Sequence, residues 1–303
     1  MTECRNCGGT NLENLGPIGR LAPFFLKRVL GLEIRSDRSK GLLKQRIRNL
    51  AAIPMSLLSR ASSSHTFAEM QICKDCEFIQ TRNPFRDDDI MRLYRDYRSD
   101  SYNRERIQYE PSYSSIAAQV GQDQTEISNR VRSLNAFLHR NLGSRQPATI
   151  LDYGGADGKF LPDYPGSKSV YEVSDIQPVA GVTRIHDESK LGLYSLVLLS
   201  HVIEHATHPV DLVRKVASYV EPDGYLYLET PQEIDDRDRV ALREGSVQFD
   251  IGIHEHINSY CIPAVSALLK SSGLSVVAIE SGLVNVGWAK AVHIRALGQK
   301  KPV

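Results

Sequence analysis

The segment Ile150-Leu-Asp-Tyr-Gly-Gly-Ala-Asp-Gly158 constrains this chain more than any other. An apolar run ends in an acid, and glycines crowd the turn that follows. A buried parallel strand has this composition where it passes to a helix through a loop lying close against a ligand. The order Asp-x-Gly-x-Ala-x-Gly is not the Gly-x-Gly-x-x-Gly of a dinucleotide turn, and no Lys-Ser/Thr follows as in a phosphate loop. The spacing points to a nucleotide-like cofactor without a pyrophosphate.

From Ala148 onward short apolar runs alternate with helical stretches. Strands are expected at 149–153, 169–173, 195–200, 225–229, 275–280 and 289–297, with helices between most of them, as at 209–220 and 263–272. Residues 126–142 keep Ile127, Val131, Leu134, Phe137, Leu138 and Leu142 on one helical face, and Gly143 suits the position after its end. This is the pattern of an α/β, doubly wound sheet. Only a short glycine-containing loop, 282–287, separates the last two strands, so that pair should be antiparallel. We place the first of two domains at 1–110 and the second at 111–303.

Acids recur after successive strands. The second strand leads to Asp175, followed by Ile176-Gln-Pro178, with Glu172 as the alternative register. Either could bind ribose hydroxyls. His186-Asp-Glu188 follows the third strand, and Asp187 could accept from an adenine amino group. Each acid could instead cap a turn; their succession favours a cofactor site.

In Leu151–Gly158, Asp175–Pro178, Tyr194–His205 and Gly224–Pro231 the sequence resembles the class I S-adenosylmethionine-dependent methyltransferases over roughly residues 148–298. The family usually has Asp where Ser195 stands. The resemblance implies a Rossmann-like, mostly parallel seven-stranded sheet with an antiparallel last strand. It implies that Asp152, Gly154, Gly155, Ala156 and Gly158 line the cofactor. Asp175 would hold the ribose and Asp187 would lie near the adenine, with Ile176, Ser200 and His201 along the same cleft.

Two histidine-rich stretches remain. His201-Val-Ile-Glu-His205 matches the His-x-x-Glu-His pattern of zinc hydrolases, which needs a sustained helix to bring both imidazoles to one face. Here the run 195–200 reads as a strand and Pro209 opens the next helix, so His201 or His205 is expected to line the cleft. His254-Glu-His256 follows the fifth strand after a long polar connection, 233–247, where an acceptor would bind. Histidine is a natural base near neutral pH. We expect His256 to be that base with Glu255 in support, and His254 as a weaker candidate; two merely structural histidines are the alternative.

Four of the five cysteines form two Cys-x-x-Cys pairs, Cys4/Cys7 and Cys73/Cys76. Four thiolates make a closed tetrahedral zinc site, structural rather than catalytic. A redox dithiol or unmetallated thiols are the alternatives, and Cys261 is left over to be buried. With His254–His256, these pairs are similar to the sugar C-methyltransferases that carry an N-terminal zinc domain. That resemblance implies a saccharide or nucleotide-sugar acceptor, Glu255 and His256 as the catalytic pair, and Tyr97 as a residue reaching the active site. The family has Tyr where Ile253 stands and a further domain after its core. O-methylation of a saccharide, or of another small-molecule hydroxyl, is the alternative activity.

Charge narrows the partners. The chain is net +1, but residues 20–60 hold ten Lys/Arg against Glu33 and Asp37, net +8. That stretch is either a solvated helix surface or a face for an anionic partner. It lacks interleaved aromatics, which argues against an RNA methyltransferase or other nucleic-acid binder. No apolar run approaches the roughly 20 residues of a membrane span. The first residues lack a signal-peptide pattern, so the expected location is the cytoplasm.

Overall fold

The computed structural model describes residues 3–32, 61–62, 65–97, 99–115, 117–119, 121–247, 249–287 and 289–302. Most of the basic stretch, 33–60, lies outside these described residues. The chain opens with β1 (Leu12–Leu21) and α1 (Pro23–Leu30), then β2 (Ala61–Ser62), β3 (His65–Cys73) and β4 (Ile79–Thr81). Helices α2 (Asp87–Tyr94), α3 (Asp100–Tyr109) and α4 (Gln124–Leu142) follow. Then come β5 (Thr149–Tyr153), β6 (Ser167–Tyr171), β7 (Val182–Ile185), β8 (Tyr194–Ser200), α5 (Pro209–Ser218), β9 (Val220–Pro231) and α6 (Asp236–Arg243). The chain ends through β10 (Ile251–Ile253), β11 (Asn258–Ser259), α7 (Ile262–Ser271), β12 (Leu274–Asn285) and β13 (Lys290–Lys300).

Seven strands form one sheet in the order β12-β13-β9-β8-β5-β6-β7. β5 through β9 pair in parallel, while β13 runs antiparallel to both β9 and β12. The expected doubly wound sheet and antiparallel final pair are thus present. Alternation explains the layers. Leu196 and Leu198 of β8 face α4, where they meet Leu134, Phe137 and Leu138. Val197 and Leu199 face the other way, onto Val213 and Val216 of α5 and Leu268 of α7.

The helices are less regular than expected. No helix follows β5 or β6; residues 154–166 and 172–181 are turns and bends. The sequence supplies the reason: Gly158, Pro162, Pro165 and Gly166 interrupt the first connection, and Pro178 and Gly181 the second. The long connection after β9 does hold a helix, α6.

A second sheet has the order β10-β1-β3-β4-β11, with β2 on β3. Its two outer strands come from the far end of the chain, so the regions expected to divide near residue 110 share it. β10 and β11 are joined by only residues 254–257. Five Cα steps reach about 17 Å at most, while four strand spacings in a flat sheet need about 19 Å. The sheet must therefore curl, and the short bridge carrying His254, Glu255 and His256 closes over its end. Phe24, Phe25, Met70 and Tyr102 fill the space beneath. Among the described residues no helix is long and apolar enough to cross a membrane.

Candidate active site

The glycine loop leaves β5 at its carboxyl end. Gly154 and Gly158 both take left-handed backbone conformations, φ +76°, as does Ala156 at +52°. A Cβ on Gly155 would sit 2.2 Å from the Asp152 carboxylate, so that position must stay bare. Asp152 is 2% exposed, and its Oδ1 has no hydrogen-bond partner. Burial pushes its carboxyl up to about 7, against the opposing pull of Arg130.

The acid beside this loop is Glu172, immediately after β6. Its Oε2 accepts from Ala156 N–H at 3.1 Å and its Oε1 from Ser174 N–H at 2.8 Å. Asp175, preferred from the sequence, points away: its side chain is fully exposed, 3.7 Å from the Arg184 guanidinium. The strand stops at Tyr171, earlier than expected, which moves the useful acid back by three residues. Asp187 is also exposed and serves as a cap, its Oδ1 accepting from Ser189 N–H at 3.0 Å and Ser189 O–H at 2.7 Å. Ile176 lies half-buried in the stretch after Glu172.

β8 ends at Ser200, and the chain turns through His201 into a single 3-10 turn, Ile203–His205. The His-x-x-Glu-His run therefore sits on a strand-to-loop transition, as expected. His201 has φ +55°, a costly conformation for a non-glycine residue. It stands between two buried carboxylates, with Nε2 3.2 Å from Glu229 Oε1 and Nδ1 3.3 Å from Glu204 Oε1. The turn touches the cofactor loop: a Cβ on Gly154 would lie 3.3 Å from Val202.

The bridge between β10 and β11 lies over this turn. Ile257 N–H donates to Glu204 C=O at 3.0 Å, and the Asn258 amide to Ile203 C=O and Ala206 C=O. His205 and His256 come together, ring centroids 4.7 Å apart. His254 does not join them; it is more than half exposed, 3.4 Å from Glu110.

Glu255 is not a free partner for His256. Arg106 pairs with its carboxylate, and the hydroxyls of Tyr97 and Tyr102 donate to it at 3.4 Å each. Burial alone would raise the Glu255 carboxyl, but Arg106, His205 and His256 together outweigh it and hold it low. The acid on His256 is Glu233, whose Oε1 lies 2.5 Å from Nδ1. Burial opposes the imidazolium; Glu233 outweighs it and lifts His256 to about 9. At neutral pH His256 in this form carries its proton. Tyr94, which sequence reasoning missed, lies 2.6 Å from His205 Nδ1. Its only signal was its place in the Tyr- and Arg-rich segment that supplied Tyr97.

The cysteine pairs also converge. Sγ of Cys4 is 3.7 Å from that of Cys76, and Cys7 lies equally close to Cys73. None is in a disulfide, and one Sγ from each lies within 4.8 Å of the others. Gly9 N–H and the Asn6 amide point at Cys7 and Cys76 sulfurs, at 3.4 and 3.5 Å. Such donors suit thiolates holding a cation. The group packs against the large-sheet core through Asn6, whose amide donates to Ala264 C=O at 2.8 Å. Cys261 is buried, as expected.

No curated protein matches the chain. Among solved structures it is similar to a Burkholderia thailandensis 1,6-didemethyltoxoflavin-N1-methyltransferase with bound S-adenosylhomocysteine. The identity is 15% over 75% of this chain and 97% of that one, with a TM-score of 0.47. It is also similar to a magnesium protoporphyrin IX methyltransferase from Synechocystis PCC 6803, at 14% over 70% and 99%, TM-score 0.45. A family profile described as a methyltransferase domain matches residues 127–279, just over half of the 303 residues. The match runs from α4 into β12 and takes in the glycine loop, the 3-10 turn and the His-Glu-His bridge. The chain belongs to this methyltransferase family and is a class I S-adenosylmethionine-dependent methyltransferase.

Proposed function

We propose that this enzyme methylates a saccharide, as a nucleotide-sugar or glycan, and that its acceptor lies between the 3-10 turn and the β10–β11 bridge. The observation that carries this reading is the juxtaposition of the glycine loop with a wall of imidazoles and phenols. A wall of such donors and acceptors suits a polyhydroxylated acceptor better than an apolar one.

S-adenosylmethionine, when bound, supplies a methyl already activated on a sulfonium. The residues fit it. Asp152 has an unused buried oxygen, Gly154, Gly155, Ala156 and Gly158 open the loop, and Glu172 replaces Asp175 as the acid for the ribose. Asp187, tied up as a cap, loses its assignment to the adenine. His201 positions the turn between the two carboxylates.

The protein's part is to align the acceptor and to manage its proton. Proton removal falls to His205, whose imidazole is kept neutral by burial, while His256, which already carries its proton at neutral pH, donates to the acceptor. Glu255, gripped by Arg106, positions the bridge rather than taking a proton, and Tyr97 holds Glu255 from the other side. Cys4, Cys7, Cys73 and Cys76 would hold a structural zinc ion that ties the N-terminal segment to β3. The basic stretch 20–60, most of which lies outside the described residues, would meet an anionic partner, which the nucleotide of a nucleotide-sugar would supply.

The test is transfer of labelled methyl from S-adenosylmethionine to a panel of nucleotide-sugars and glycans, with calorimetry of cofactor binding. We expect binding, and transfer to at least one saccharide. Absence of cofactor binding would sink the reading. Transfer to non-saccharide hydroxyls alone would move the acceptor to another class.

A further inference from the structure

The His-x-x-Glu-His run has no helix to make it a zinc-hydrolase motif, yet the fold gives two of its residues a third partner. One potential ligand atom each from Glu204, His205 and His256 lies within 4.8 Å of the others. We propose that these three side chains form a divalent-cation site, and that the open positions of the ion take oxygens of the acceptor. The second half of this proposal rests on the methyltransferase reading above.

Each ligand is held from behind and free in front. Glu204 is 1% exposed; its Oε2 accepts from the Thr230 hydroxyl at 3.1 Å, while its Oε1 has only His201 Nδ1 nearby, at 3.3 Å. His205 uses Nδ1, which lies 2.6 Å from the Tyr94 hydroxyl and 3.2 Å from Glu255 C=O. Its Nε2 faces Glu204 Oε1 at 4.0 Å. His256 uses Nδ1 on Glu233 at 2.5 Å, which leaves Nε2 as its spare donor. Imidazoles that bind metal commonly hand their other nitrogen to a carboxylate or carbonyl, and ligating carboxylates are themselves hydrogen-bonded. All three outer contacts are in place here. A buried carboxylate oxygen met only by one imidazole keeps a lone pair open, and a cation between the three groups would satisfy it.

The charged groups around the site do not fill it. Arg106 is engaged by Glu255 and Glu110, and His201 is shared between Glu204 and Glu229. Two imidazoles and one carboxylate suit first-row divalent ions and leave coordination positions open. An acceptor hydroxyl bound there becomes more acidic. Its proton leaves to solvent as the new C–O bond forms. The C–S bond breaks at the same time, and its electron pair stays on sulfur. Such a site favours O-methylation over C-methylation.

The experiment is titration of the full chain with Mn²⁺, followed by the loss of the free-ion electron paramagnetic resonance signal. Mn²⁺ prefers oxygen and nitrogen to the thiolates of the cysteine group. One bound Mn²⁺ per chain is expected, lost in His205→Ala and in His256→Ala. Glu233→Gln removes only an outer contact from a half-exposed position, so it should fold and bind about 10- to 100-fold more weakly. No binding by the native chain, or binding unchanged in all three variants, would overturn the cation site. Methyl transfer by a chain that binds no Mn²⁺ would also overturn it while leaving the methyltransferase reading intact. A chain that binds Mn²⁺ but no S-adenosylmethionine would keep the cation site and remove that reading, together with the acceptor half of this proposal.

Discussion

Two buried glutamates flank His201 at the carboxyl edge of the large sheet, and they have been given opposite surroundings. Glu229, at the end of β9, is saturated. Arg130 Nη2 lies 3.0 Å from it, Arg295 Nε 3.5 Å, and the Tyr227 hydroxyl donates at 2.7 Å. His201 and His293 complete the shell. Burial alone would raise this carboxyl, but Arg130 and its neighbours hold it well below the usual range. Glu204, on the next turn, has the Thr230 hydroxyl on one oxygen and only His201 Nδ1, at 3.3 Å, near the other, with no guanidinium on either. Both glutamates sit beside two histidines. Where guanidinium groups already neutralise the acid, a cation has no place; where they are missing, the site is open. The contrast separates a structural anchor from a binding position with the same residue types.

The largest effect should come from the anchor. Glu229→Gln leaves the buried Arg130 and Arg295 with only their weaker contacts, at 3.4 Å, to Glu126 and Glu280, and should cost about 3 kcal/mol in urea unfolding. Glu204→Gln removes no such pair and should cost under about 1.5 kcal/mol. Equal losses from the two substitutions would break the comparison.

Next in size is the acid of the glycine loop. Its charge-assisted hydrogen bonds predict that Glu172→Ala weakens S-adenosylmethionine binding by about 10- to 100-fold, read by calorimetry. Asp175→Ala should leave affinity unchanged, because that side chain is fully exposed. The reverse order would restore Asp175 to the site.

Asp152 sharpens the comparison as a third buried acid: against burial, the histidines beside Glu204 hold that carboxyl down to about 2, whereas burial lifts Asp152. Its folded carboxyl keeps a proton to about pH 7, whereas the unfolded chain releases it near pH 4. Stability from this group is therefore full below about pH 4 and is lost as pH rises toward 7. Asp152→Asn lacks that loss. Between pH 5 and 7 the native chain should fall behind the variant by at most about 1.4 kcal/mol per pH unit, levelling above 7. Parallel melting curves for the two proteins would show that Asp152 is ionised throughout.

Much of the fold was legible because it depends on local periodicity. The apolar runs at 149–153 and 195–200 could only be buried strands, and α4 follows its one-sided apolar face within two residues of the expected start. The missing helices after β5 and β6 were legible too, in Pro162, Pro165 and Gly166 of the first connection and Pro178 and Gly181 of the second. The site was less legible. Glu172 and Asp175 lie three residues apart, and the point where β6 stops chose between them. That point is set by pairing with β5 and β7, not by the segment itself.

By itself the sequence determined the methyltransferase class, the sheet, the cysteine group and the residue types of the histidine-rich turn and bridge. Each is written in contiguous residues or fixed spacing. Only the tertiary structure decided which groups meet. Glu255 was expected beside His256, its neighbour in the chain, but successive residues point apart, and Glu255 goes to Arg106 while His256 goes to Glu233. His205 reaches His256 across 51 positions because the β10–β11 bridge folds back over the turn after β8. Partners set by chain return across a curled sheet leave no trace in local pattern, and in this enzyme those partners form the candidate active site.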